Sequence, residues 1–240
     1  MTISMKRAVG SLLDHSLGRL LIYSTRKIQA AGYQSALYNM AWQRAIESSL
    51  AYANAEMPHA LMFRDTQDLW DHALKRVCLP GTCVEFGVWK GRSINYFAKR
   101  LPVIYGFDSF EGLAEDWKGW AFPKGAFDLK GRMPRVAPNV RLIKGWFSDT
   151  VPEFLASSSD LFAFVHIDCD TFEAATLVLS LLKPRLRPGT VVIFDEFFGY
   201  RSWQDGGEFK AWNDFVQSTG TKFEWMGFSA QQVAIQLRER

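Results

Sequence analysis

From Gly81 onward the chain repeats one pattern: a short apolar run, often β-branched and closing on Gly or Asp, then a stretch with helical periodicity. The runs are 83–86, 103–107, 140–144, 162–167 and 191–194, and helical patterns occupy 93–100, 171–182 and 208–217 between and after them. Alternation of this kind implies a mostly parallel sheet with helices on both faces. Two further runs, 223–228 and 232–237, are separated by a short turn and read as a closing antiparallel hairpin. The expected architecture is therefore α/β, with seven strands. One stretch, 113–139, breaks the rhythm with Trp117, Trp120, Phe122 and Phe127 among glycines and lysines. Its length predicts a lid over a site, or a helix that the pattern hides.

Residues 1 to about 78 contain no strand-like run and are rich in helix formers, so a helical extension (1–78) is expected ahead of the main domain (79–240). Pro58 separates an earlier helix from one over roughly 65–77, with Asp65 and Thr66 at its start. Leu12, Leu13, Leu17, Leu20 and Leu21 form a stripe that packs on its own domain, on a second copy in a homodimer, on a partner or on a membrane surface. Asp14, His15 and Arg19 interrupt any signal-peptide core, and no apolar run approaches the ~18 residues of a membrane span. A net charge of +3 gives no case for nucleic-acid binding. Three cysteines without zinc-ligand spacing suit a reducing compartment, so the expected location is the cytoplasm. Nine Trp and nineteen Phe point to an aromatic-lined cleft or to a core rich in rings.

In an open parallel sheet, ligands bind where the strands end. The first run closes as Glu85-Phe86-Gly87 and continues to Gly91 and Ser93, a Gly-x-x-x-Gly spacing rather than the Gly-x-Gly-x-x-Gly of dinucleotide enzymes. Glu85 there would repel a diphosphate and hold an ammonium group, so a cationic nucleoside fits better than an anionic one. The alternative is an ordinary strand-to-helix turn with Glu85 solvated. The second run ends at Asp108, 17 residues after Gly91, where a carboxylate would meet ribose hydroxyls. The fourth and fifth runs end His166-Ile167-Asp168-Cys169-Asp170 and Phe194-Asp195-Glu196. Neighbouring parallel strands lie about 4.8 Å apart, so Asp168, Asp195 and Glu196 can converge. Three carboxylates repel one another unless a cation or proton intervenes, and hard oxygen donors favour Mg²⁺, with Mn²⁺ or Ca²⁺ next. Alternatively, Asp170 or Glu196 caps a helix and one acid alone faces the crevice. By alternation His166 points the same way as Asp168, to line the site or to sit satisfied in the core.

These residues resemble class I S-adenosylmethionine-dependent methyltransferases, and most closely the metal-dependent sugar O-methyltransferases of the macrocin O-methyltransferase family. The likeness covers about 63–237, and its strongest pieces are VEFGVWKGRS at 84–93, GFDSFEGL at 106–113, IKGWFSDTVPEF at 143–154, HIDCDTFEA at 166–174 and PGTVVIFDEF at 188–197. The resemblance implies a Rossmann-like sheet and S-adenosylmethionine as methyl donor. It places Glu85, Gly87, Gly91 and Ser93 at the methionine end, Asp108 and Ser109 at the ribose, and Trp146 and Ser148 near the adenine. Asp168, Asp195 and Glu196 match the metal-binding acids, and Asp168 also matches the acid proposed as general base. Glu196 stands where the family often has a second aspartate. The implied acceptor is a small-molecule or sugar hydroxyl, with the aromatics of 117–127, Tyr200 and Trp203 stacking on it. The rival readings are an NAD(P)-dependent oxidoreductase and a non-catalytic nucleotide-binding module.

Overall fold

Strands buried on both faces are nearly continuous apolar runs, and the two central strands follow this: every residue of Phe162–Ile167 and of Val191–Phe194 is buried, and His166 is the one polar residue among them. The computed structural model describes residues 36–239. The chain divides into two compact units, 1–44 and 45–240. The described part of the first, 36–44, is helical, and the leucine stripe lies outside the described residues. The second unit carries the sheet.

In chain order this unit holds α1 (45–56), β1 (Leu61–Met62), α2 (Thr66–Leu74), β2 (Thr82–Phe86), α3 (Arg92–Phe97), β3 (Ile104–Asp108) and β4 (Val140–Lys144). It continues with α4 (Phe147–Ser157), β5 (Phe162–Ile167), α5 (Phe172–Leu182), β6 (Val191–Phe194), α6 (Gly207–Thr219), β7 (Lys222–Ser229) and β8 (Gln232–Arg238). The sheet has eight strands in the order β1-β7-β8-β6-β5-β2-β3-β4, and β8 alone runs antiparallel to its neighbours. The strand beyond the expected seven is β1, two residues on the edge of β7, too short to leave a periodic signal. Among the described residues no helix is long and apolar enough to cross a membrane.

Alternation along the strands sorts the core. Cys83, Phe164, Ile193 and Ala234 face a cluster with Trp70 of α2 and Phe97 of α3. On the opposite face Phe86 meets Phe147 of α4, and Phe194 meets Trp212 of α6. The register then levels the strand ends. Phe86 pairs with Phe107 on one side and Ile167 on the other, and Ile167 pairs with Phe194. Asp108, Gly87, Asp168 and Asp195 therefore stand in one row along the carboxyl edge.

Candidate active site

Gly87 occupies the middle of that row at φ +90°, and a Cβ there would collide with the Asp168 carbonyl oxygen. Only glycine lets β2 turn this close to β5. Gly91, at φ +77°, caps the start of α3. Asp108 pins the turn between them: Oδ2 accepts from the backbone N–H of Val88 (2.8 Å) and Trp89 (2.7 Å), and Oδ1 from that of Phe110 (2.6 Å). A carboxylate offers about four lone-pair sites, so Asp108 has room for about one further donor rather than for both hydroxyls of a ribose.

A cavity of about 950 Å³ opens along the row. Of the residues singled out in the sequence, Gly87, Ser93, Asp108, Ser109, Trp146, Ser148, Asp168, Asp195 and Glu196 line it. Two do not. Gly91 serves the backbone of the turn, and Glu85 is fully buried behind the wall, where Oε1 accepts from Ser93 Oγ (3.0 Å) and Oε2 lies 3.2 Å from His166 Nδ1. Glu85 is neither solvated nor open to a ligand. The rings also divide. Trp89, Trp117, Trp120, Phe122 and Phe127 line the cavity, whereas Trp203 is buried against Tyr52 and Phe209, with its indole N–H donating to Ser48 Oγ. Tyr200 is buried too and packs edgewise on Trp117, so neither Tyr200 nor Trp203 stacks on a ligand, contrary to the sequence expectation. Segment 113–139 contains no helix, only an isolated bridge between Trp117 and Phe122.

The acids converge more fully than the spacing indicates. One oxygen each of Asp168, Asp170 and Glu196 lies within 4.8 Å of the others, and so do ligand atoms of His166, Asp168 and Asp195. Asp168 belongs to both groups, while Asp195 and Glu196 fall in different ones. Neither Asp170 nor Glu196 is lost to capping, because the N-cap of α5 is Thr171 and that of α6 is Gly206. Glu208, from the first turn of α6, is fully buried below the cluster and accepts from the backbone N–H of Cys169 (3.0 Å) and of Glu196 (3.1 Å). It thereby ties together the loops after β5 and β6. Gln232 of β8 donates to Asp195 Oδ1, and Thr171 donates to Glu115 in the aromatic segment. The spacing around the strand ends gave no signal for Glu208, Gln232 or Glu115.

Burial, reinforced by the neighbouring carboxylates, pushes Asp168, Asp170 and Glu196 well above the usual carboxylate range. Burial likewise carries Glu208 up to about 8. Burial opposes charge on His166, but its contacts with Asp195 and Glu85 prevail and raise it to about 9. For Asp195 burial acts upward, and contact with His166 outweighs it and holds the acid below its usual value. Groups that bind protons more tightly folded than unfolded lose their stabilising effect as pH rises. Glu208 and His166 share this sign, so without divalent ions the protein is expected to lose stability from about pH 4.5 toward pH 8 and further toward 9. Thermal melts in chelator across this range check it, and a flat profile would contradict the crowding of charge.

Residues 84–197 match the family described as a methyltransferase domain. A tetracenomycin-type rhamnosyl 4'-O-methyltransferase of Streptomyces olivaceus is 30% identical over 147 residues, 50% of this chain and 54% of the relative. Mycinamicin III 3''-O-methyltransferase of Micromonospora griseorubida is 28% identical over 148 residues, 50% of this chain and 56% of the relative. The chain thus spans about half the length of the curated relatives it matches. In three dimensions a calicheamicin methyltransferase superposes with a TM-score of 0.57 at 22% identity, over 82% of this chain and 91% of the other, which shows the shared fold.

Proposed function

With a methyltransferase domain over residues 84–197 as the premise, we propose that the protein is an S-adenosylmethionine-dependent O-methyltransferase that acts on a hydroxyl of a sugar or small molecule. One observation carries the reading: a single cavity takes in both the glycine turn and the acid cluster, so a cationic nucleoside and an acceptor can meet inside it. At about 950 Å³ it stands at the upper end of ligand pockets. Ser93 and the Gly87 turn receive the methionine end, with Glu85 behind them. Asp108 takes one ribose hydroxyl beside Ser109, and Trp146 and Ser148 flank the base. The cofactor supplies a methyl group on a sulfonium, which a nearby oxygen can take directly.

The acid cluster also suits a divalent ion such as Mg²⁺. All donors except His166 are hard oxygens, and Glu196 Oε2 is buried with no hydrogen-bond partner. Asp168, Asp170 and Glu196 would hold the ion, with Asp195 close to Asp168 beside them, and the ion when bound lowers the pKa of an alcohol. Asp168, at the centre of the cluster and with raised proton affinity, takes the proton of the acceptor hydroxyl. Trp117, Trp120 and Phe127 offer faces for the acceptor to stack on and exclude water. Free Cys78, Cys83 and Cys169 fit work in a reducing cytoplasm.

S-adenosylmethionine at a hundred times its dissociation constant is expected to stabilise the fold by about 2.7 kcal/mol, read as a rise in melting temperature, with no rise from NAD. Labelled methyl transfer to a panel of glycosides, with Mg²⁺ and with chelator, then identifies the acceptor. A shift with NAD and none with S-adenosylmethionine would end the reading.

A further inference from the structure

Behind the cavity wall runs a continuous chain of polar contacts. Ser93 Oγ donates to Glu85 Oε1 (3.0 Å), Glu85 Oε2 lies 3.2 Å from His166 Nδ1, and His166 Nε2 lies 3.3 Å from Asp195 Oδ1. Gln232 donates to the same Asp195 oxygen, and its own Oε1 accepts from Trp70 Nε1 at 2.6 Å. Ser93, Asp195, Gln232 and Trp70 line the cavity, whereas Glu85 and His166, at the middle of the chain, are fully buried and touch no open space. The His166 ring packs edgewise against Trp70 (centroids 6.4 Å apart) and Phe97 (4.9 Å), which hem it in beside both carboxylates.

We propose that Glu85 and His166 are positioning residues: the imidazole bridges the carboxylate behind the glycine turn and the carboxylate of Asp195, fixing Ser93 for the cofactor and Asp195 for the metal through one rigid group. This rests on the functional reading above and departs from the expectation that Glu85 meets the cofactor itself. The physical reason is the cost of a buried charge without a partner. Two carboxylates facing each other across the sheet cannot both keep a fixed rotamer unless a donor stands between them, and carboxylates only accept. With that donor removed, one of them must turn or take up a proton, and the disturbance arrives at both ends of the cavity. Partners that orient metal ligands from behind typically change metal affinity by about 10–100-fold when replaced.

The test uses the full chain and two probes, S-adenosylmethionine for the Ser93 end and Mn²⁺ alone for the Asp195 end, each titrated calorimetrically. His166→Phe keeps the ring packing and removes both bridging atoms, while His166→Gln keeps one donor. In His166→Phe both affinities are expected to fall about tenfold or more, and His166→Gln is expected to recover part of the loss. Phe97→Leu thins the same packing without touching the chain of contacts. It should lower the melting temperature and leave both affinities near wild type, which separates positioning from stability. Unchanged affinities in a folded His166 variant, equal losses in Phe97→Leu, or failure of both His166 variants to fold would overturn the proposal. If the wild-type protein binds neither probe, the functional reading falls and takes this one with it. If it binds both and the His166 variants match it, only this one falls.

Discussion

Asp168→Asn is expected to abolish methyl transfer while the protein still binds S-adenosylmethionine with nearly wild-type affinity. The substitution keeps the shape of the side chain and leaves untouched the backbone of Asp168, whose N–H donates to the Phe86 carbonyl (2.9 Å). The chemistry it removes is the proton acceptor, for which losses of about 10²–10⁴ in rate are usual, and the one carboxylate that belongs to both ligand groups. The loss should appear in kcat far more than in KM. The fold should not suffer, since one of several mutually repelling carboxylates becomes neutral, so the melting temperature is expected to hold or rise. That combination distinguishes a chemical role from a structural one. Full turnover by the variant in chelator would remove both roles assigned to Asp168.

Gly87→Ala carries the largest expected cost in stability. The residue combines φ +90° with a Cβ position that runs into the Asp168 carbonyl oxygen. Backbone strain of about 1–3 kcal/mol would be tolerable alone. The collision is with main chain rather than with a flexible side-chain tip, so β2 and β5 must part at their carboxyl ends. A loss above about 4 kcal/mol is expected, read as a fall in the urea midpoint. Gly125→Ala provides the control: its φ is +81° with nothing near the new Cβ, so only the strain remains. Equal losses in the two variants would show that the close approach of β2 to β5 has no energetic weight.

Much of this sheet can be read from the chain because central parallel strands are apolar at nearly every position, and such runs as 162–167, with His166 its one polar residue, and 191–194 stand out against helical periodicity. The acids at their ends are legible for the same reason: a level register carries whatever follows each strand to the same edge. What stays hidden depends on contacts between distant segments. Glu208 looks like an ordinary acid in the first turn of a helix, and only the docking of α6 brings it under the loops of Cys169 and Glu196. Gln232 starts a strand that would read the same had it faced solvent. Tyr200 and Trp203 follow β6 closely in sequence, yet the chain bends away at Gly199 (φ +85°) and buries both. Aromatic content alone does not separate a ring in the core from one in the cavity. Glu85 shows a subtler limit. Its place at the end of β2 is legible, but its burial against His166 depends on α2 and α3 closing over that face.

The clamp formed by Glu208 and the donor supplied by Gln232 come from α6 and β8, whereas the glycine turn is complete by α3. During synthesis the nucleoside half of the crevice can therefore assemble while the acidic half still lacks its supports. β8 must also slot between β6 and β7 rather than add to an edge, which makes its insertion a late, long-range event. A nascent chain arrested before α6 would carry Asp168, Asp170, Asp195 and Glu196 at the strand ends with neither the Glu208 clamp nor the Gln232 donor in place.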